Sequence, residues 1–129
     1  MQEIEISTTE QVQFVDITDK IQKIVSAEKI KDGICIIFTP HTTAAVTINE
    51  NADPDVSTDM IKEINKIVPF NDNYRHFEGN SAAHIKSSMI GASETVIVEN
   101  GKLKLGRWQG IYFCEFDGPR RRKIWIKVA

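Results

Sequence analysis

The chain has 129 residues, 41% of them hydrophobic and 26% charged, with a net charge of -2. That size and balance predict a single globular domain over 1–129, able to hold a core without a disulfide or a metal. The slight acidity argues against a nucleic-acid partner, whose reader would be basic, and no apolar stretch reaches the roughly 18 residues a membrane-spanning helix needs, so no membrane partner is expected.

The N-terminal residues show no charged-then-apolar leader, so a cytoplasmic location is expected. Gln2 to Ser7 alternates Ile4 and Ile6 with Glu3 and Glu5, which predicts a half-buried strand. Val12, Phe14 and Val15 predict a second strand, and Thr18 and Asp19 are candidate caps for a short helix through Ile21, Ile24 and Val25 that fades by Lys29. Asp32-Gly33 signals a turn, and the run Ile34 to Phe38 predicts a buried strand ended by Pro40. Ala44 to Ile48 predicts another strand. Asp53 as N-cap and Pro54 at the first helical position then open a helix with Val56, Met60, Ile61, Ile64 and Ile67 on one face, stopped by Pro69.

Asn71 to Asn80 has no period and reads as an ordered loop; Ser81 to Ile90 reads as a short helix ended by Gly91. The remainder predicts strands: Thr95 to Val98, an Asn100-Gly101 hairpin turn, Leu103 to Phe116, a Gly118-Pro119 turn, and Lys123 to Val128. Scattered helices with terminal antiparallel hairpins define an α+β class. Cys35 and Cys114 sit in apolar runs without a C-x-x-C spacing, so buried reduced thiols are expected.

The chemistry-bearing residues fall in five stretches. The three histidines, His41, His76 and His84, lie at element ends or in a loop, where working residues concentrate. Three imidazoles match the ligand count of a catalytic zinc site, although no pair has the i, i+4 spacing of a zinc-protease helix. In the stretch Glu50, Asn51, Asp53 and Asp55, Asp53 and Asp55 are explained by a helix N-terminus; Glu50 is not, and it suits proton acceptance. Around Arg75, His76, Glu78, Gly79 and Asn80, a sharp turn precedes a helix; capping by Asn80 or Ser81 competes with anion binding there. Gly106 to Gly110, with Trp108 and Gln109, suggests a bulge or a close backbone approach. Arg120 to Lys123 forms a basic run whose alternation sends Arg120 and Arg122 to one face; phosphate binding and a solvated strand edge are its two readings.

HTTAAVTINENADPDV (41–56), RHFEGNSAAHIKSSMIG (75–91) and LGRWQGIYFCEFDGPRRRKIWIKV (105–128) closely resemble the YjbQ-like family. The resemblance implies a compact α+β domain with a mixed, strongly curved sheet and two or three helices, assembled as a homotrimer. It also implies a secondary thiamine-phosphate synthase activity, joining a hydroxymethylpyrimidine pyrophosphate to a thiazole phosphate with release of pyrophosphate. On that reading Glu50, His84 and Arg75 are catalytic. Asn51, Asp53, Glu78, Trp108, Gln109 and Arg120 bind substrate. Arg75 and Arg120 hold phosphates, Trp108 stacks on a heteroaromatic ring and Glu50 orients the pyrimidine amine. His41, His76 and His84 would hold a divalent metal, zinc or a similar ion by ligand type, magnesium by the demands of pyrophosphate chemistry. Two alternatives stand beside it: a metal-dependent hydrolase of a small phosphorylated or amide substrate, and a non-catalytic trimeric module that binds a phosphorylated heterocycle.

Overall fold

A computed structural model describes all of residues 1–129. In chain order the elements are β1 (Gln2–Ser7), β2 (Gln13–Asp16), α1 (Thr18–Glu28), β3 (Gly33–Phe38), β4 (Ala44–Glu50), α2 (Pro54–Ile67), α3 (Ser81–Ile90), β5 (Ser93–Glu99), β6 (Lys102–Leu103), β7 (Gln109–Glu115) and β8 (Arg121–Val128). The strands form a five-stranded sheet in the order β1-β8-β3-β5-β6 and a three-stranded sheet in the order β2-β7-β4. The α+β class and three helices agree with expectation. The mixed pairing does not: every ladder is antiparallel.

The main core lies between the two sheets, where alternation points one side chain in two inward. Cys35 and Ile37 of β3, Val96 and Val98 of β5, and Ile124 and Ile126 of β8 meet Val46 of β4 and Ile111 and Phe113 of β7, with Ile21 and Val25 of α1 closing one side. The run Ile34 to Phe38 is therefore not a wholly buried strand; Ile34 and Phe38 face outward, 41% and 38% exposed. Helix α3 covers the other face of the small sheet. Its Ala82 and Ala83 are small enough to let the helix backbone approach, and Ala83 packs with Ala45, Tyr112, Cys114 and Phe116.

Several boundaries follow from local chemistry. Asp53 caps α2 as expected, its Oδ1 accepting the Asp55 N–H at 2.9 Å. Thr18 does not cap α1 with its side chain; its hydroxyl donates to Asp16 Oδ1 and accepts the Ile111 N–H, tying the helix to β7. Asn100 and Gly101 both have positive φ, 53° and 74°, which turns β5 into β6. The expected strand Leu103 to Phe116 is interrupted: Lys104 to Trp108 form no ladder, and β7 begins at Gln109. The Gln109 side chain causes the break by accepting the Gly106 N–H at 2.7 Å and closing a turn. No helix is long and apolar enough to cross a membrane.

Candidate functional site

The β4–β7 ladder separates the candidate residues into two groups. At one end Ala44 pairs with Glu115, and at the other Glu50 pairs with Gln109. A polar cleft of about 340 Å³ opens beside the Ala44 end. Its walls are Pro40 to Thr43, Glu78 and Asn80 from the loop before α3, His84 from α3, and Asp117, Arg120 and Arg122 from the turn into β8.

Each cationic side chain in this cleft is locked by a carboxylate. Arg122 is 4% exposed and Glu115 is fully buried. Arg122 Nε lies 2.9 and 3.1 Å from the two Glu115 oxygens, its Nη2 donates to the same carboxylate, and Nη2 reaches Thr43 Oγ1 at 2.8 Å. Thr8 Oγ1 and the Asp117 N–H donate to the remaining lone pairs of Glu115, at 2.7 and 3.1 Å. Burial, the largest single influence on Glu115, would raise its pKa, yet the bonds from Arg122, Thr8 and Asp117 outweigh it and hold the carboxyl below the ordinary value. Arg120 is anchored nearby: its Nε donates to the Asp117 carbonyl at 2.8 Å and its Nη2 to Asp117 Oδ2 at 3.0 Å.

His41 sits against both arginines. Burial lowers its pKa, and the Arg122 and Arg120 charges push the same way against an opposing pull from Glu115. Its Nε2 accepts the Lys123 backbone N–H at 2.9 Å. A neutral imidazole has one lone pair, so Nε2 is the unprotonated nitrogen and Nδ1 carries the proton. His84 reaches the cleft because the Ser87 hydroxyl, one helical turn away, donates to the Thr42 carbonyl at 2.6 Å and pins α3 to the His41 segment. The His76 and His84 rings meet edge to face at 5.6 Å. His76 Nδ1 lies 3.1 Å from Ser81 Oγ and its Nε2 3.8 Å from Glu78 Oε1. Arg75 lines an adjoining depression with Tyr74, His76 and His84.

Glu50, Asn51, Asp53, Trp108 and Gln109 lie at the far end of the ladder and do not join this cleft within one chain. Three of them have bonds that account for their presence. Asn51 Nδ2 donates to Asp16 Oδ2 at 2.9 Å, Asp53 caps α2, and Gln109 closes its turn. Burial would raise the Asp16 pKa, but bonds from Thr18 and Asn51 bring it below the ordinary value. Gly110 is required there, since a Cβ would stand 2.2 Å from Asn51 Nδ2. The close approach expected around Gly110 thus comes from this chain's own Asn51. Glu50 and Trp108 keep free side chains, and the Trp108 ring is 53% exposed with Arg107 over it at 4.7 Å.

A three-histidine metal site does not fit this arrangement. No three His, Cys, Asp or Glu side chains converge as a ligand group. The only lone pair of His41 is occupied by the Lys123 N–H, which leaves His76 and His84 as an edge-on pair. Both cysteines are free and buried as expected, and burial pushes the Cys35 thiol up to about 11 and that of Cys114 higher still. Of four further residues that shape the cleft, the sequence pattern singles out Asn80 only in a cap-or-anion turn and Arg122 only within a basic run, and gives Glu115 and Asp117 no site role. The alternation of Arg120 and Arg122 was a usable signal for Arg122. Glu115 carries none, since it ends an apolar strand with no polar neighbour before it in the pattern.

The model of the family described as UPF0047 protein YjbQ-like matches residues 2–129. The chain belongs to this YjbQ-like family. A UPF0047 protein of Methanocaldococcus jannaschii is 53% identical over 96% of this chain and 90% of its own length. YugU of Bacillus subtilis is 52% identical over 97% of this chain and 96% of its own. A crystal structure of a YjbQ/UPF0047 family protein from Clostridium acetobutylicum superposes with a TM-score of 0.98 at 52% identity, covering all of both chains. A protein of unknown function from Sulfolobus solfataricus retains the YjbQ-like fold at 36% identity, with a TM-score of 0.95 over 98% of this chain and 94% of that one.

Proposed function

We propose that the cleft holds the diphosphate of a small heterocyclic ester and that the protein is a thiamine-phosphate synthase-like transferase. The observation that carries this reading is the pair Arg120 and Arg122, each fixed by its own carboxylate and flanking a His41 kept neutral with its Nδ1 as donor. In the reaction the thiazole nitrogen lone pair forms a C–N bond to the pyrimidine methylene carbon. The C–O bond to diphosphate breaks, and its electron pair leaves on oxygen. The rate is limited by charge developing on that oxygen, and donors already oriented towards it lower the barrier without reorganisation. On this reading the Nη1 groups of Arg120 and Arg122, which make no bond within the chain, and the His41 Nδ1–H would be such donors. His84 lines both the cleft and the adjoining depression that Arg75 lines, where the two would meet the second substrate.

A charge count supports entry of the diphosphate together with a divalent cation. The two arginines are balanced by Asp117 and Glu115, and Glu78 adds a further carboxylate at the rim. A multiply charged anion gains little from so balanced a cleft unless it enters with a divalent cation. Magnesium is commonly held by one or two carboxylates plus substrate phosphates. Glu78, exposed and only loosely paired with His76, is the donor the cleft offers.

The far group, with free Glu50 and Trp108, completes a site only if a neighbouring subunit supplies it. The homotrimer implied by the family resemblance is compatible with this, and the outward apolar residues Ile34, Phe38 and Ile97 suit a subunit contact. The test is turnover of hydroxymethylpyrimidine diphosphate and thiazole phosphate with magnesium, read as thiamine phosphate and released pyrophosphate. Arg120→Met is expected to lower kcat about 100-fold. Mixing inactive Glu50→Ala and His84→Ala chains is expected to restore part of the activity. Product formation unaffected by Arg120→Met in a folded protein would defeat the role given to Arg120, and no thiamine phosphate from the wild type would defeat the transferase assignment. Pyrophosphate release without coupling would favour the hydrolase, and tight binding without turnover the sensing module.

A further inference from the structure

Three depressions have His84 as a wall, and no other residue lines all three. Two of them are the polar cleft and the depression of Arg75. The third, of about 460 Å³, lies between the His41 segment and the second half of α3, and runs on to Gly91 and Ala92. Its volume falls among those of small-molecule sites, roughly 300–1,000 Å³.

This third space differs from the others in charge. The cleft carries Glu78, Asp117, Arg120 and Arg122, and the second depression carries Arg75. The third has no acidic residue, lysine or arginine in its walls. Ala44, Ser87, Gly91 and Ala92 contribute little side-chain volume, and that is what leaves the space open. The Ser87 hydroxyl is committed to the Thr42 and His84 carbonyls. Thr42 and Ser88 keep free hydroxyls, which can donate or accept. The boundary with the cleft is not sealed. His41, Thr42 and His84 line both spaces, Thr42 is exposed, and the two histidines are half-buried. A ligand can therefore lie across them with one end on each side.

We propose that this depression is a second subsite, which takes the uncharged heteroaromatic ring of a phosphate ester whose diphosphate lies in the cleft. The inference deepens the phosphate-ester reading and rests on it. Such an ester is charged at one end and neutral at the other. Its ring, laid among the cleft's carboxylates and arginines, would strip water from charged groups without replacing their bonds. In the neutral depression the ring meets Ala44 and Ala92, and its nitrogens meet the Thr42 and Ser88 hydroxyls. The carbon that joins ring to diphosphate then falls at the shared boundary, beside His84, which also borders the depression of Arg75.

The test is calorimetric binding, with magnesium present, of two esters that carry the same diphosphate. One is (4-amino-2-methylpyrimidin-5-yl)methyl diphosphate and the other is methyl diphosphate, which has no ring. The full-length protein is expected to prefer the first by at least about tenfold, the gain from burying a modest apolar surface. Ser88 and Ala92 are both exposed, so Ser88→Leu and Ala92→Leu fill the depression without disturbing the core. Each is expected to bring the ratio close to unity and to leave methyl diphosphate affinity unchanged. Equal affinity of the wild type for the two esters would overturn the inference and leave the anion site standing. A preference that survives in both variants would place the ring elsewhere and overturn it as well. So would a loss of both affinities in both variants, since the two spaces would then not be separable. No binding of either ester to the wild type would overturn the phosphate-ester reading together with this one.

Discussion

Replacing Arg122 by Met tests whether the cleft is built on a buried ion pair. The Arg122 and Glu115 side chains are 5% and 0% exposed. The substitution keeps most of the aliphatic stem and removes every donor to Glu115 from β8. Glu115 retains Thr8 Oγ1 and the Asp117 N–H, but its charge loses its counter-ion in a place water cannot reach. Breaking a buried pair on one side typically costs about 3–5 kcal/mol, a large part of the roughly 5–15 kcal/mol that holds a domain together. The double variant Arg122→Met with Glu115→Gln removes the stranded charge while keeping an acceptor for Thr8, and should recover about 1–3 kcal/mol of the loss. The pH dependence supplies an independent check. In the wild type Glu115 has a lowered pKa, so its contribution is present above the ordinary value of 4.5 and lost as pH falls through the folded value. Without Arg122 burial prevails and the folded pKa rises; stability is then fullest below 4.5 and lost as pH climbs through that raised value. The two proteins should therefore converge in stability as pH falls. Urea unfolding followed by tryptophan fluorescence, at fixed protein concentration and with m-values compared, reads both effects. A deficit below about 1 kcal/mol, or one independent of pH, would refute the argument.

Lys86 gives a second test, on the far side of α3. It is fully buried, bonds Asn65 Oδ1 at 2.5 Å and lies 3.7 Å above the Phe70 ring, with no carboxylate partner. Burial lowers its pKa from 10.5 to about 8. Between those values the unfolded chain binds more protons, so wild-type stability should rise with pH relative to Lys86→Met, by about 3 kcal/mol over the full interval. Parallel stability profiles for the two proteins from pH 7 to 10 would show that the amine is not desolvated. His41 gives a third. Nitrogen-resolved NMR should find the Nδ1–H tautomer and a titration midpoint below 6.5. The associated stability is present above 6.5 and lost as pH falls through that midpoint. His41→Gln, which keeps an acceptor for the Lys123 N–H, should not show that loss, and an Nε2–H tautomer would contradict the hydrogen bond.

Local patterns carried much of this fold into the sequence. The Asp53-Pro54 start of α2, the Asn100-Gly101 turn and the alternation of β1 are short-range effects, and the structure repeats them. What failed depended on distant partners. Nothing near Ile34 to Phe38 says which of its faces stays uncovered, because that is decided by α1 and the small sheet. The strand expected through Leu103 to Phe116 was cut by a side-chain bond from Gln109 that hydrophobic periodicity cannot register. The site shows the same division. His41, Glu78, His84 and Arg120 were recognisable by residue type and do meet in one cleft. Glu50, Asn51, Asp53, Trp108 and Gln109 were equally conspicuous as polar or aromatic residues at element ends, yet a seven-residue strand stands between the groups.

The cleft owes its rigidity to the point where the chain leaves one sheet for the other. Between Glu115, the last residue of β7, and Arg122 in β8, the backbone crosses from the small sheet to the large one. Within those eight positions it presents Glu115, Asp117, Arg120 and Arg122. The crossing is tight. A Cβ at Gly118 would lie 2.2 Å from the Glu10 carbonyl oxygen, so only glycine fits, and the Gly118 N–H is bonded to Gln11 at 3.0 Å. Phe116 N–H bonds the Thr43 carbonyl and Arg120 N–H the Thr8 hydroxyl, fastening the turn to β4 and to the segment after β1. The polar groups of the turn thus face the His41 segment from a frame held on three sides. Glu78 approaches from the opposite wall on the loop before α3, where exposure is high and its only ion pair is the loose one to His76. One wall is preorganised and the other is set by few bonds. Binding energy from a ligand that spans the cleft would therefore be spent on ordering the Arg75–Glu78 loop, while the arginines are already in place.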